Sequence, residues 1–133
     1  MKTIALSLSL LLAGITFVKC TTTVEPLTME EEKAKLEKLY DEIVELSQSE
    51  TCSNPDNWKY TAIGSKACGG PTGYIAYPKS IDESNFLSLV EDYTLTQKSY
   101  NEKSGMMSDC SLPAEPTGIT CEDGKAKLVY SGL

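Results

Sequence analysis

The feature that most constrains this chain is a turn-forming run in its middle, K-A-C-G-G-P-T-G-Y-I-A-Y, at residues 66–77. Glycine tolerates positive φ and close backbone approach, proline fixes φ, and a disulfide at Cys68 would tie the run to a distant part of the chain. The run therefore predicts a rigid backbone turn that leads into a short aromatic strand. Its residue types specify backbone geometry and supply no acid–base chemistry.

The N-terminus is typical of an export signal. Lys2 precedes an apolar run over residues 4–18, which is too short and wrongly flanked for a membrane span. Removal of the signal would leave roughly 110 residues, enough for one domain with a small core. The predicted organisation is a signal peptide over 1–20, a polar tether over 21–27 and a single domain over 28–133.

The position of signal cleavage relative to Cys20 determines whether the exported chain is secreted or anchored to a membrane by lipid. Cleavage after Cys20 would release a secreted protein, whereas cleavage before it would leave an N-terminal cysteine that can be acylated. The segment F-V-K-C is similar to a bacterial lipobox, although Lys19 departs from the small residue usual there. We expect an extracytoplasmic protein, secreted or lipid-anchored in the cell envelope, that contacts a membrane only through lipid on Cys20.

The other four cysteines are even in number, which in an exported chain favours two disulfides. They are Cys52, Cys68, Cys110 and Cys121. Pairing Cys52 with Cys68 would close a loop of about sixteen residues and contribute on the order of 3 kcal/mol. Cys110 would then pair with Cys121. The alternative pairings of Cys52 with Cys110 or Cys121 remain open, because spacing alone does not set connectivity.

Composition excludes several classes of function. The chain carries a net charge of −7, contains no histidine, and all of its basic residues are lysines. An acidic surface without arginine disfavours nucleic-acid binding. The absence of histidine removes imidazole-based catalysis and the commonest metal ligand, and the cysteines lack the C-x-x-C spacing of a zinc site. We predict no metal, no cofactor and no nucleic-acid partner.

The first predicted helix begins at residue 28. Thr28 and Glu31 fit a capping box, in which each side chain accepts from the other residue's backbone N–H. The charged face is predicted to be solvated, with pairs such as Glu31 with Lys35. Apolar residues recur at helical spacing and predict a buried stripe formed by Leu36, Leu39, Tyr40, Ile43 and Leu46.

A second helix is predicted between residues 80 and 105. Ser80 and Glu83 repeat the capping-box pattern, and Gly105 supplies a left-handed end. The apolar stripe of this helix consists of Phe86, Leu89, Val90, Tyr93 and Tyr100. Stripes of this kind favour burial in a core over a ligand groove.

Short strands are predicted at three places. Residues 58–63 alternate large apolar with polar side chains, and residues 74–77 are aromatic and β-branched. The dipeptide Asp123-Gly124 lies between two short β-like runs and predicts a hairpin. The predicted fold is α+β, with two amphipathic helices packed on a small antiparallel sheet and stabilised by two disulfides.

Candidate sites are few. Asp109, Glu122 and Asp123 lie near cysteines and could form a carboxylate active site, but chance neighbours are expected in so acidic a chain. Glu122 and Asp123 could also contribute to a calcium site, although a turn explains Asp123 better. A recognition loop carrying Lys66 is a third option, since a constrained loop loses little entropy on binding, as in many protease inhibitors. The candidate binding residues are Lys66, Gly69, Gly70, Pro71, Tyr74 and Tyr77.

Several separated motifs carry a resemblance. K-A-C-G-G-P at residues 66–71, S-D-C at residues 108–110 and Cys121 resemble a group of small exported or lipid-anchored bacterial proteins that is frequent in Bacteroidota. The resemblance implies an envelope location and supplies no catalytic residues. We therefore expect a non-catalytic envelope-associated binding module with a protein partner, of which a protease-inhibitor-like protein is one form. The alternative is a small extracytoplasmic enzyme that uses Asp or Glu carboxylates.

Overall fold

The structure is a computed structural model and describes residues 26–132. The predicted signal peptide, Cys20 and most of the predicted tether lie outside the described residues. No helix within the described part is long and apolar enough to cross a membrane. The elements in chain order are α1 (Met29–Ser47), a 3-10 turn (Pro55–Asn57), β1 (Trp58–Ile63), β2 (Gly73–Pro78), α2 (Glu83–Ser104), β3 (Gly118–Glu122) and β4 (Lys125–Val129).

Local signals set one end of each helix as predicted. The Glu31 N–H donates to Thr28 Oγ1 at 3.3 Å, and the Thr28 N–H donates to the Glu31 carboxylate at 2.8 Å, which confirms the capping box. Gly105 ends α2 in the left-handed conformation with φ 63°. Both signals act within a few residues, so the sequence alone could reveal them.

The start of α2 differs from the prediction. Asp82 caps the helix by accepting from the Asn85 N–H at 3.0 Å, and Glu83 is the first helical residue. Ser80 lies in the preceding turn and donates its hydroxyl to the Glu50 carboxylate. The predicted capping box was wrong, because a carboxylate two residues later satisfies the helix N-terminus.

Two antiparallel sheets of two strands each replace the single sheet that was expected. In the first sheet, β1 pairs with β2, and Trp58 lies opposite Pro78. In the second, β3 pairs with β4, and Gly118 lies opposite Val129. Asp123 and Gly124 form the connecting turn, both at positive φ, so the hairpin prediction is confirmed. The α+β fold class is confirmed.

The core lies between the helices and one face of the β1–β2 sheet. Side chains alternate across a strand, so Ile63, Ile75 and Tyr77 share the face that packs against the helices. The Tyr77 and Phe86 rings lie 4.6 Å apart between centroids. The fully or nearly buried cluster consists of Ile43, Ile63, Tyr77, Phe86 and Val90.

Two disulfides are confirmed, and Cys52 has one of the partners that spacing left open rather than its neighbour Cys68. Cys52 bonds to Cys121 across 69 residues, and Cys68 bonds to Cys110 across 42. The pairing follows from the fold, because the β3–β4 hairpin returns to the segment that precedes β1. The Cys52 N–H also donates to the Gly124 carbonyl at 2.8 Å, so backbone and disulfide hold the hairpin together at this end.

Candidate functional site

The predicted recognition loop is a closed turn. The Lys66 N–H donates to the Gly70 carbonyl at 2.9 Å, and the Gly69 N–H donates to the Lys66 carbonyl at 2.9 Å. Gly69 and Gly70 adopt φ of +92° and +82°, conformations that favour glycine. A side chain built at Gly70 would lie 2.5 Å from Leu112. The loop is therefore closed by its own backbone hydrogen bonds and packs against Leu112.

The Lys66 side chain is occupied within the protein. Its Nζ donates to Asp109 Oδ1 at 2.8 Å and to the Ser111 carbonyl at 2.6 Å, and the side chain is only 17% exposed. The Lys66 ammonium, and then the Ser111 hydroxyl, hold the pKa of Asp109 below its usual range. Together with Cys68–Cys110, these bonds fix the loop to the segment after α2, whereas an inhibitory loop would display the lysine.

The two candidate tyrosines lie in different environments. Tyr77 is buried in the core, and its hydroxyl donates to Glu83 at 2.9 Å. Burial and then the Glu83 carboxylate raise the pKa of Tyr77 to about 12. Tyr74 lies on the opposite face of the sheet, half-buried, with its ring 6.1 Å from that of Tyr60 in an edge-to-face arrangement. Of the two, only Tyr74 lies outside the core.

Tyr74 lines a groove of about 570 Å³ between the two sheets and the C-terminal half of α1. The sheet face that carries Trp58, Tyr74 and Ala76 borders this groove, and so does the hairpin face that carries Ala126 and Leu128. Most of these side chains are half-buried. The volume of the groove lies in the range of small-ligand sites. The groove-lining residues used below are Tyr40, Gln48, Thr51, Trp58, Tyr74, Ala76, Ala126 and Leu128.

The groove combines aromatic surface with a few polar groups. Tyr40 is 47% exposed, while Trp58 is buried and forms part of the lining. Gln48 and Thr51 add an amide and a hydroxyl. Sequence reasoning missed these four residues as site candidates, because Tyr40 shares the helical spacing of the core stripe and the groove exists only once the hairpin folds over the sheet.

A second hollow lies between β1 and the start of β3. It measures about 750 Å³, but it is more open to solvent than the first groove. Its lysines already have partners: Lys79 donates to the Asp56 carbonyl at 2.6 Å, and Lys59 donates to the Glu83 carboxylate at 2.8 Å. We therefore take the first groove as the candidate binding site.

The predicted carboxylate candidates have separate environments. Asp109 pairs with Lys66, Glu122 pairs with Lys127 at 2.8 Å, and Asp123 forms the hairpin turn at φ 51°. In the part of the chain that the structure describes, these three carboxylates share no hydrogen-bond partner. Among residues 26–132, no group of three or more Cys, Asp or Glu side chains is arranged to hold a metal ion.

Comparisons with known proteins add no assignment. No family model, no curated protein and no solved structure matches the chain.

Proposed function

We propose that this protein is a non-catalytic extracytoplasmic binding protein whose ligand occupies the groove between the two sheets. The observation that carries the proposal is the aromatic lining of a concave site, formed by Tyr40, Trp58 and Tyr74. Large aromatic side chains with a few polar groups are typical of recognition sites.

Covalent constraint supports this function. Cys52 adjoins the groove residue Thr51, and Cys121 lies on β3, so their disulfide fixes the hairpin relative to the segment before β1. A site that is already ordered loses less conformational entropy when a ligand binds. A partner outside the cytoplasm is therefore bound by a preformed surface.

The disulfides and the N-terminal sequence support the proposed location. Two disulfides are consistent with an oxidising compartment. A signal peptide over residues 1–20 would deliver the chain there, and an acyl group on Cys20 would be its membrane attachment. The intact mass of the protein from its native host tests both points, because cleavage, acylation and the loss of four thiol hydrogens each change the mass.

Trp58 provides the binding assay, since it is the only tryptophan and lines the groove. Peptides from a digest of envelope proteins and a pool of soluble oligosaccharides serve as probes, and Trp58 fluorescence is followed by titration. We expect saturable binding that Tyr40→Ala weakens about tenfold, or about 1.4 kcal/mol. Tyr130→Ala is the matched control, because Tyr130 is 46% exposed and lies outside the groove lining.

The outcome separates the groove from the alternatives. Equal affinity in the Tyr40→Ala and Tyr130→Ala variants would contradict a groove site. Binding that is lost on Lys66→Ala instead would favour the protease-inhibitor-like form. Chemical conversion of a probe, abolished by Asp109→Asn or Glu122→Gln, would favour the carboxylate enzyme and overturn the proposal.

A further inference from the structure

One edge of β2 has backbone groups without partners in the described part of the chain. The Lys79 N–H donates to the Asn57 carbonyl at 2.8 Å, and this pair continues the β1–β2 register. Bonded and non-bonded pairs alternate in an antiparallel ladder. The N–H and C=O groups of Tyr74 and Ala76 therefore point away from β1, and no other strand within residues 26–132 pairs with them.

This edge borders the groove. Residues 74, 75 and 76 all line it, although successive side chains point to opposite faces of a sheet. Three consecutive residues can line the same groove when the edge of the strand, rather than one of its faces, borders that groove. The edge of β2 therefore borders the groove. Backbone N–H and C=O groups that lack partners along a strand edge provide a template for an added strand.

Charge restricts the ligand that fits. Among the described residues, the charged side chains that line the groove are Glu50, Asp123 and Lys125. The chain as a whole carries a net charge of −7. Opposite charge accelerates association and disfavours partners of like charge. Lysine- or arginine-containing segments are therefore favoured over acidic ones.

Resting on the proposed binding function, we infer that the ligand is an extended peptide segment of a partner protein, carrying Lys or Arg, that adds as a strand to the β2 edge. Its backbone exchanges hydrogen bonds with Tyr74 and Ala76. Its alternate side chains face the aromatic lining, including Tyr40 and Trp58. Main-chain bonds provide affinity and the side-chain contacts provide selectivity.

The test uses an amidated synthetic peptide of alternating lysine and valine, about ten residues long and labelled for fluorescence anisotropy. Its counterparts carry glutamate in place of lysine, or N-methyl groups at alternate residues in either register. The protein variant is Ala76→Pro, which removes an N–H that faces away from β1. Ala62→Pro is the matched control, because Ala62 lies opposite Tyr74 on β1, its N–H faces away from β2, and it is outside the groove lining. Circular dichroism shows whether each variant folds.

We expect N-methylation in one register and Ala76→Pro each to weaken binding of the lysine peptide about tenfold or more, and Ala62→Pro to leave it close to wild type. The glutamate peptide should bind more weakly than the lysine peptide, and salt of about 0.5 M should reduce this difference. If the Ala76→Pro variant does not fold, the affinities of the N-methylated peptides for the wild-type protein test strand addition on their own.

Equal affinity for both N-methylated peptides and the unmodified one would overturn strand addition, and so would unchanged affinity in a folded Ala76→Pro variant. Equal binding of the glutamate peptide would overturn the charge preference. Dimerisation of the free protein that Ala76→Pro abolishes would assign the edge to a second copy of the chain. The two proposals can also be told apart. If no peptide binds but an oligosaccharide binds in a Tyr40-dependent way, this inference is overturned and the proposed function stands.

Discussion

A buried carboxylate joins the two helices. Glu32 is 5% exposed, and its Oε1 accepts hydrogen bonds from the Lys103 ammonium and the Ser99 hydroxyl. Its Oε2 has no partner within the described residues. Desolvating a charge in this way is tolerated when a cation compensates it. Lys103 is therefore the residue on which the burial of Glu32 depends.

Lys103→Met should lower the free energy of unfolding by about 1–3 kcal/mol, because it leaves the Glu32 carboxylate buried without its counter-ion. Urea denaturation at neutral pH measures the change. Lys98→Met is the control, since Lys98 is an exposed lysine on the same helix and forms no ion pair among residues 26–132. Equal losses in the two variants would show that Glu32 does not need Lys103.

Tyr77 should make the protein sensitive to alkali. Its pKa is about 12 in the folded protein, against 10.0 for an unperturbed tyrosine. Between these values the unfolded chain loses the phenolic proton first, so stability is retained below pH 10 and falls as pH rises toward 12. Tyr77→Phe should flatten this fall in urea titrations, whereas Tyr130→Phe should not. Parallel pH profiles for wild type and Tyr77→Phe would contradict the assignment.

At the scale of elements, Gly64 lies directly after β1, where the chain leaves the sheet in a left-handed conformation. Its φ is +78°, and an added Cβ would lie 2.1 Å from Thr72 Oγ1 and 2.5 Å from Gln97 Oε1. The same Gln97 oxygen accepts from the Ser65 N–H at 2.7 Å, so it cannot move freely. Gly64 therefore combines left-handed backbone with close packing between the first sheet and α2.

Gly64→Ala should destabilise the protein clearly more than Gly69→Ala. Both glycines have positive φ, which costs alanine about 1–2 kcal/mol, but an added Cβ at Gly69 meets nothing within 4 Å. The difference between the two losses in free energy of unfolding measures the cost of the close contacts around Gly64. Thermal and urea denaturation give both values, and indistinguishable losses would show that Thr72 and Gln97 move aside easily.

Prediction from the sequence succeeded where the signal is local. The Thr28 capping box, the Gly105 helix end and the Asp123-Gly124 turn each depend on a few adjacent residues. It failed where partners come from elsewhere in the chain. Lys35 was expected to pair with Glu31 but pairs with Asp92 of α2 at 2.9 Å.

The groove could not be predicted for the same reason. Tyr74 was identified as a binding candidate from its residue type, yet the site needs Tyr40 of α1 and Leu128 of β4 beside it. Their proximity depends on the Cys52–Cys121 pairing, which spacing left open. The position of the hairpin, and with it the concave surface, is a property of the tertiary fold.

At the scale of the whole molecule, the two disulfides have different consequences. Replacing both cysteines of either pair by alanine should cost about 4 kcal/mol on chain-entropy estimates, because both closed loops are long. Loss of Cys52–Cys121 should also speed amide exchange in β3 and β4 more than in β1 and β2. Loss of Cys68–Cys110 lowers the global free energy of unfolding by a similar amount, so it should speed exchange in the hairpin no more than in β1 and β2. Equal acceleration in the hairpin would contradict its specific dependence on Cys52–Cys121.

The most direct test of the groove is a map of backbone amide shifts during titration of isotope-labelled protein with the lysine–valine peptide. Binding at the groove predicts that the largest changes fall at residues 74–76, at 124–128 and along the C-terminal half of α1, with residues 66–71 nearly unchanged. Changes confined to residues 66–71, or spread evenly over the acidic surface, would contradict a ligand site between the two sheets.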